Sequence, residues 1–315
     1  MPDPLRVLIE SEIAGAFPAA AKKLADAIRS QHDDGVAAVI FYGSCLRQQE
    51  ISPEAMVFDF FVLVDDYRRF YGRRWPALAN HLLPPNVFQI AIEAGDGKIL
   101  RAKYAVVTVA QFHDLVSPRT FHSYFWARFA QPTRLVYARD ARSREAVIEA
   151  LMQSVSAMAG AAAGLMTAPF APGELWKEAF RHTYAAELRA EKAGRGEHVY
   201  VADAARYDAL AEPALAAAGL TVQRQEDGRL SLQNGAANST KADAVWALRR
   251  WYGKLLSIAR LTKAVFTFDG GLDYILWKIE RHSGVNATAT DWQRRHPLLA
   301  APGLAWRLYR RGAFR

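Results

Sequence analysis

A chain of 315 residues with 51% hydrophobic and 23% charged residues is long enough for one large or two ordinary globular domains, and this composition argues against wholesale disorder. A single cysteine, Cys45, excludes an internal disulfide framework and is typical of a reducing compartment. The formal net charge of +8 is unevenly placed, since residues 241–315 hold 14 Lys/Arg and 5 Asp/Glu, whereas the other 240 residues hold 26 and 27. A basic C-terminal quarter indicates an anionic partner, either a membrane surface or a nucleic acid.

The hydrophobic pattern predicts an α+β fold with most of its strands in the first third of the chain. Apolar residues at helical spacing predict helical structure over 4–31. Four strands are predicted, at 37–42, 57–64, 86–93 and 99–108, and a Gly-Asp-Gly turn joins the last two as a hairpin. Helices are predicted from there on, at 110–116, 119–130, 143–166, 173–192, 203–218 and 241–266. The turn-rich segment 227–240 is predicted to be a linker or an exposed loop.

The first predicted strand ends in Gly43-Ser44. Glycine allows a tight turn in which successive N–H groups point at phosphate oxygens, and the serine hydroxyl adds one more donor. An ordinary strand-to-loop turn would have the same sequence. The acid-bearing strand that follows favours the phosphate-binding alternative, because nucleotidyl transfer needs a triphosphate-binding turn beside acids that hold magnesium.

Asp59 lies near the start of the second predicted strand, between hydrophobic residues. An unpaired acid there is costly, so it requires a cation such as Mg²⁺ or several backbone amide donors. Asp65 and Asp66 follow the same strand. Six residues of extended strand span about 20 Å at roughly 3.3 Å per residue, so Asp59 and Asp65 cannot share one pair of metal ions in a regular strand. The terminal pair could instead cap the next helix, hold a second cation or bind a basic residue.

The position two residues after Asp59, where nucleotidyltransferases commonly have a second acid, is Phe61. Glu93 could complete a metal site, or it could face solvent in its hairpin. Lys103 lies inside an apolar strand, where a phosphate ligand and an internal salt bridge are both consistent with the pattern.

Five segments in order over about residues 30–215 resemble the mitochondrial-type phosphatidate cytidylyltransferases, which are CDP-diacylglycerol synthases with a nucleotidyltransferase fold. The similar segments are Phe41-Tyr42-Gly43-Ser44, Asp59-Phe60 through Val64-Asp65-Asp66, Lys103-Tyr104-Ala105-Val106, Tyr124 to Val136 with Arg128 and Pro132, and Tyr184-Ala185-Ala186-Glu187-Leu188-Arg189. The chain departs from the family where Glu187 replaces an Asp and Ala186 a Gly.

The resemblance implies a nucleotidyltransferase-like mixed sheet flanked by helices and followed by a mainly helical C-terminal region. It divides the chain into a nucleotidyltransferase domain (1–140), a helical domain that completes the substrate cleft (141–225) and a basic helical region (241–315). The implied reaction transfers a cytidylyl group from CTP to phosphatidic acid, with Mg²⁺ as cofactor.

The residues implied to carry this reaction fall into four groups. They are the catalytic Asp59, Asp65 and Asp66, the metal ligands Asp59 and Asp65, the nucleotide- or phosphate-binding Gly43, Ser44, Lys103 and Arg128, and the supporting Tyr184, Glu187 and Arg189. A nucleotidyltransferase acting on RNA or a small molecule, and a catalytically weak scaffold protein, are the alternatives.

The predicted helix 241–266 has an apolar, aromatic side and a mostly basic opposite side. Such a helix can rest in an anionic lipid interface or pack its apolar side on the protein. Neither a signal peptide nor a transmembrane helix is predicted. We therefore expect a cytoplasmic protein, peripheral on the inner face of a membrane, with phosphatidic acid or another lipid phosphate as partner in preference to nucleic acid.

Overall fold

The computed structural model describes residues 3–32, 35–46, 52–95, 97–187, 195–233, 239–267, 276, 280, 285, 288–295 and 297–312. The helices described are α1 (Pro4–Ile13), α2 (Ala19–Ser30), α3 (Tyr67–Tyr71), α4 (Arg74–Leu82), α5 (Val109–Val116), α6 (Tyr124–Phe129), α7 (Ala141–Ala163), α8 (Pro172–Ala185), α9 (Arg195–Ala202), α10 (Ala204–Ala217), α11 (Ser239–Thr267), α12 (Asp291–Arg295) and α13 (Pro297–Arg310). The strands are β1 (Val36–Tyr42), β2 (Val57–Val64), β3 (Asn86–Glu93), β4 (Ile99–Thr108), β5 (Thr133–Ala138), β6 (Val222–Arg224) and β7 (Leu230–Leu232).

The five long strands form one mixed sheet in the order β3-β4-β2-β1-β5. Strands β2 and β4 run parallel, and the other neighbouring strands run antiparallel. The predicted α+β class, with a mixed sheet flanked by helices and a helical C-terminal region, is confirmed. The segment 4–31, predicted to be helical, forms two helices: α1 ends at Ile13 and α2 starts after Pro18, whose extended backbone separates them.

Helices cover both faces of the sheet. Alternate residues of β2 point to opposite faces, and each set packs against a different group of helices. Phe61 and Leu63 belong to a buried cluster shared with α1, α5 to α8 and α10. Phe60 and Val62 belong to a second cluster shared with α2 and α3. We call these faces the α7 face and the α2 face, and the candidate site lies on the α7 face.

Helix α7 is long and apolar enough, by length and composition alone, to cross a membrane. In the structure 61% of its most apolar window is buried inside the protein. Its residues pack against the sheet and the neighbouring helices in the α7-face cluster. This packing accounts for its composition, since helices buried in a protein core can be equally long and apolar.

The described chain forms two compact units, Met1–Ser257 and Ile258–Arg315. In the first unit the helices after residue 140 share the α7-face cluster with the sheet, and the predicted boundaries at 140 and 225 stay predictions. The first part of α11 also belongs to this unit, since the Trp246 indole donates a hydrogen bond to the Ala161 carbonyl at 3.1 Å. The second unit has a small buried cluster of Leu276, Ala289 and Leu308.

The segment predicted to be a linker after residue 227 is in part a short hairpin. Strands β6 and β7 pair on either side of a turn at Gly228, and Leu230 forms a bridge to Phe170. The remainder of that prediction, 234–238, lies outside the described residues.

Candidate active site

Three polar side chains stand in one row across the centre of the sheet. Tyr42 of β1 pairs with Asp59 of β2, and Asp59 pairs with Lys103 of β4. Because Phe61, two residues after Asp59, lies in the α7-face cluster, this row also belongs to the α7 face. The sheet register therefore brings together Asp59 and Lys103, which the sequence separates by 44 positions.

The Gly43 turn lies directly against Asp59. Gly43 has φ of +92°, and a Cβ atom built on it would lie 3.0 Å from the Asp59 Oδ2 atom. Any side chain there would be strained by the backbone conformation and crowded by the carboxylate, so both the turn and the close approach require glycine. Ser44 follows with an exposed side chain, at the start of a short 3-10 turn that ends at Leu46. The predicted phosphate-binding pair thus lies beside the predicted acid.

The negative charge of the Asp59 carboxylate is only partly compensated by nearby protein groups. Burial raises its pKa, and the charges of Lys103 and Arg128 offset part of that rise. Within the part of the chain that the structure describes, its side chain has no hydrogen-bond donor and no ion-pair partner within 4.0 Å. A largely desolvated acid of this kind favours a bound cation.

Arg128 and Glu187 form a buried ion pair beside this row. The two guanidinium nitrogens of Arg128 donate to the two carboxylate oxygens of Glu187 at 2.9 and 3.1 Å, and the side chains are only 14% and 8% exposed. Although burial alone lowers the pKa of Arg128, the charge and hydrogen bonds of Glu187 keep that pKa above its ordinary value. Arg128 consequently remains charged next to Asp59.

The ring and the backbone of Tyr124 hold the Arg128 guanidinium in place. Its guanidinium carbon lies 3.5 Å from the ring centroid of Tyr124, whose carbonyl also accepts a hydrogen bond from Arg128. Tyr184 accepts a 3.4 Å hydrogen bond from Gln131. The role of Tyr124 was missed by sequence reasoning, although its i, i+4 spacing to Arg128 on one helix could have indicated it. Arg189 lies outside the described residues.

The structure does not bring Asp65 or Asp66 to Asp59. Asp65 follows the far end of β2 and binds Arg139, with oxygen–nitrogen distances of 2.5 and 3.1 Å. Asp66 is the N-cap of α3, where it accepts hydrogen bonds from the backbone N–H groups of Arg68 and Arg69. These contacts match the basic-partner alternative for Asp65 and the helix-capping alternative for Asp66.

The position where nucleotidyltransferases commonly have a second acid is occupied by an aromatic core residue. Phe61 is fully buried and its ring packs against Tyr42, Phe112, Phe125 and Phe129. Glu93 is exposed at the end of the edge strand β3. Among the described residues no group of three or more His, Cys, Asp and Glu side chains could hold a metal ion.

Restoring the common acid by Phe61→Asp is expected to destabilise the fold instead of improving the site. Large-to-small replacement of a buried Phe costs about 3–5 kcal/mol, and an uncompensated charge adds to that cost. The free energy of unfolding from urea titration is the measurement, with the apolar Phe61→Leu as control. A well-folded Phe61→Asp variant with higher Mg²⁺ affinity than the wild type would contradict this interpretation of Phe61.

The residues on the α7 face fit the way in which Mg²⁺ is usually held in phosphoryl-transfer sites. That ion is typically bound by one or two carboxylates together with substrate phosphates and water, not by a cage of protein ligands. Asp59 supplies one carboxylate without a protein partner among the described residues, next to the left-handed Gly43 turn. Asp59 would thus hold the ion together with a nucleotide.

Comparison with protein-family models and with curated proteins gives no match for this chain.

Proposed function

We propose that the protein transfers a cytidylyl group from CTP to phosphatidic acid or a related lipid phosphate, giving CDP-diacylglycerol and pyrophosphate. The observation that carries this proposal is the contact between the left-handed Gly43 turn and the Asp59 carboxylate, with Lys103 and Arg128 as neighbouring cations. The five ordered segments that resemble phosphatidate cytidylyltransferases support the choice of CTP and of a lipid acceptor.

The proposed chemistry relies on positioning and charge. Backbone N–H groups of the Gly43 turn and the Ser44 hydroxyl bind phosphate oxygens of the nucleotide. Lys103 donates to phosphate oxygens, and Arg128, held by Glu187, adds a fixed positive charge. A bound Mg²⁺ would supply charge neutralisation on the phosphates. The attacking oxygen belongs to an already ionised phosphate, so no general base is needed and orientation carries the rate.

The direct test is incubation of the protein with CTP labelled at its α-phosphate, Mg²⁺ and a panel of acceptors. We expect label in a lipid product with phosphatidic acid and none with phosphatidylcholine, which lacks a terminal phosphate. Transfer to RNA or to a soluble phosphate, without lipid labelling, would contradict the proposed acceptor. No transfer to any acceptor by folded protein would favour the scaffold alternative.

A membrane surface is the proposed partner of α11. Leu248, Trp251 and Leu255 lie on one side of this helix and are 56%, 63% and 45% exposed. Arg250 and Lys254 are exposed cations on the same helix. An apolar aromatic side with adjacent positive charge is the arrangement by which interfacial helices bind anionic lipid.

Trp251→Ser is expected to weaken binding to vesicles of phosphatidylglycerol and phosphatidylcholine by roughly tenfold, because burying a large apolar side chain contributes about 1.5–3 kcal/mol. Vesicle co-sedimentation measures the effect. Trp75→Ser is the matched control, since Trp75 is 60% exposed on a different helix, α4. Equal loss of binding in the two variants, or salt-sensitive RNA binding without vesicle binding, would contradict membrane contact through α11.

A further inference from the structure

A cavity of about 280 Å³ lies between the C-terminal end of α7 and the first half of α11. Its α7 wall consists of the small residues Ala161 and Gly164, and its α11 wall includes Lys241, Trp246 and Arg249. None of these residues takes part in the proposed nucleotidyl transfer. The cavity therefore combines largely apolar walls with two cationic side chains.

Arg249 is a partly buried cation in an aromatic setting. Its guanidinium carbon lies 4.8, 5.1 and 5.5 Å from the ring centroids of Trp246, Trp126 and Phe121, and its Nε donates to the Phe121 carbonyl at 3.1 Å. Burial lowers the pKa of Arg249, and across the described ranges no carboxylate offsets this effect. A guanidinium has five N–H donors, so most of those of Arg249 remain available to an acceptor in the cavity.

The second cation and the helix start add to the positive potential of the cavity. Helix α11 begins at Ser239, so Lys241 and the N-terminal end of the helix dipole both border the cavity. A phosphomonoester carries a charge of about −1.5 to −2 at pH 7, so it interacts with a guanidinium beside a helix N-terminus more strongly than a carboxylate ligand does. The apolar walls suit a carbon chain attached to that phosphate.

We propose that this cavity binds an amphiphilic phosphomonoester, with Arg249 on the phosphate oxygens and the carbon chain against Ala161, Val245 and Trp246. The proposal uses no residue of the Asp59 site, but it shares with the nucleotidyl-transfer proposal the choice of a lipid phosphate as ligand. The phosphate could be that of a lipid or that of a soluble compound, and the experiment separates these sources.

The experiment is calorimetric titration of the full chain with dihexanoyl phosphatidic acid, inorganic phosphate and dihexanoyl phosphatidylcholine. We expect phosphatidic acid to bind most tightly and Arg249→Leu to weaken its binding by roughly tenfold or more, as for loss of charged hydrogen bonds. Arg142→Leu is the matched control, because it removes the same charge from an exposed position at the other end of α7, outside the cavity and outside the α11 surface proposed to bind lipid. It is expected to bind phosphatidic acid as the wild type does.

Ala242→Leu provides a second variant that fills the cavity from its α11 wall and keeps Arg249. Circular dichroism melting checks that each variant is folded. If Arg249→Leu does not fold, the binding measurement on Ala242→Leu tests the site.

Unchanged phosphatidic acid binding in the folded variants overturns the site. Equal affinity for inorganic phosphate overturns the role of the apolar walls, and equal affinity for phosphatidylcholine overturns phosphomonoester recognition. Loss of CTP turnover in Asp59→Asn with intact lipid binding would separate this proposal from the catalytic one.

Discussion

Asp59→Asn is expected to lower CTP turnover by at least about 10²–10³-fold, the usual effect of removing one charged group that stabilises the transition state. The same change is expected to leave the fold intact and to raise its stability at neutral pH. Because burial raises the pKa of Asp59 in the folded protein, the ionised carboxylate costs folding free energy. Lower activity with higher stability is typical of a residue kept for function.

The raised pKa of Asp59 fixes the direction in which the free energy of unfolding changes with pH. A raised folded-state pKa contributes stability below the unfolded-state pKa of about 4, and this contribution is lost as pH rises through the folded-state pKa. The stability difference between Asp59→Asn and wild type should therefore increase with pH over that window, as measured by urea unfolding at several pH values. Asp65→Asn is the matched control and should retain turnover, because Asp65 binds Arg139 at the other end of β2. Equal loss of turnover in both variants would contradict the assignment of Asp59.

Glu187→Gln is expected to lower the free energy of unfolding by about 3–5 kcal/mol, because it leaves the buried guanidinium of Arg128 without its counter-charge. Urea unfolding monitored by circular dichroism measures this change. The exposed i, i+4 pair Lys22–Asp26 is the comparison, and Asp26→Asn should cost less than about 1 kcal/mol.

A double-mutant cycle shows whether the loss comes from the pair itself. Arg128→Met combined with Glu187→Gln should be less destabilised than the sum of the two single changes, since no unpaired charge remains. Additive losses, or a Glu187→Gln variant with the wild-type urea midpoint, would show that the two side chains do not depend on each other.

The sequence predicted the strands better than the contacts between distant segments. Strands β1 to β4 are apolar runs bounded by turn residues, and the predicted bounds agree with the structure within one residue. Strand β5 was missed because it is a half-exposed edge strand that follows Pro132 and contains Arg134. Helix α4 was missed because Pro76 lies in its first turn, where proline is tolerated but interrupts a helical pattern.

Strand periodicity also correctly separated Asp65 from Asp59, since six residues of extended chain are too long for a shared metal ion. The pairing of Arg128 with Glu187 could not be predicted from spacing. These residues are 59 positions apart on different helices, and their contact depends on how α6 and α8 pack over the sheet. Sequence resemblance marked both residues without indicating that they bind each other.

This long separation has a consequence for the order of folding. Closing a loop of that size costs chain entropy before the contact is formed, so non-local pairs of this kind tend to form late. The antiparallel pairs β1–β2 and β3–β4 can form earlier, because their strands are close in sequence. A nascent chain released after residue 140 would contain the whole five-stranded sheet and the Asp59 carboxylate, but not Glu187. Arg128 would then lack its counter-charge until the segment that carries Glu187 has docked.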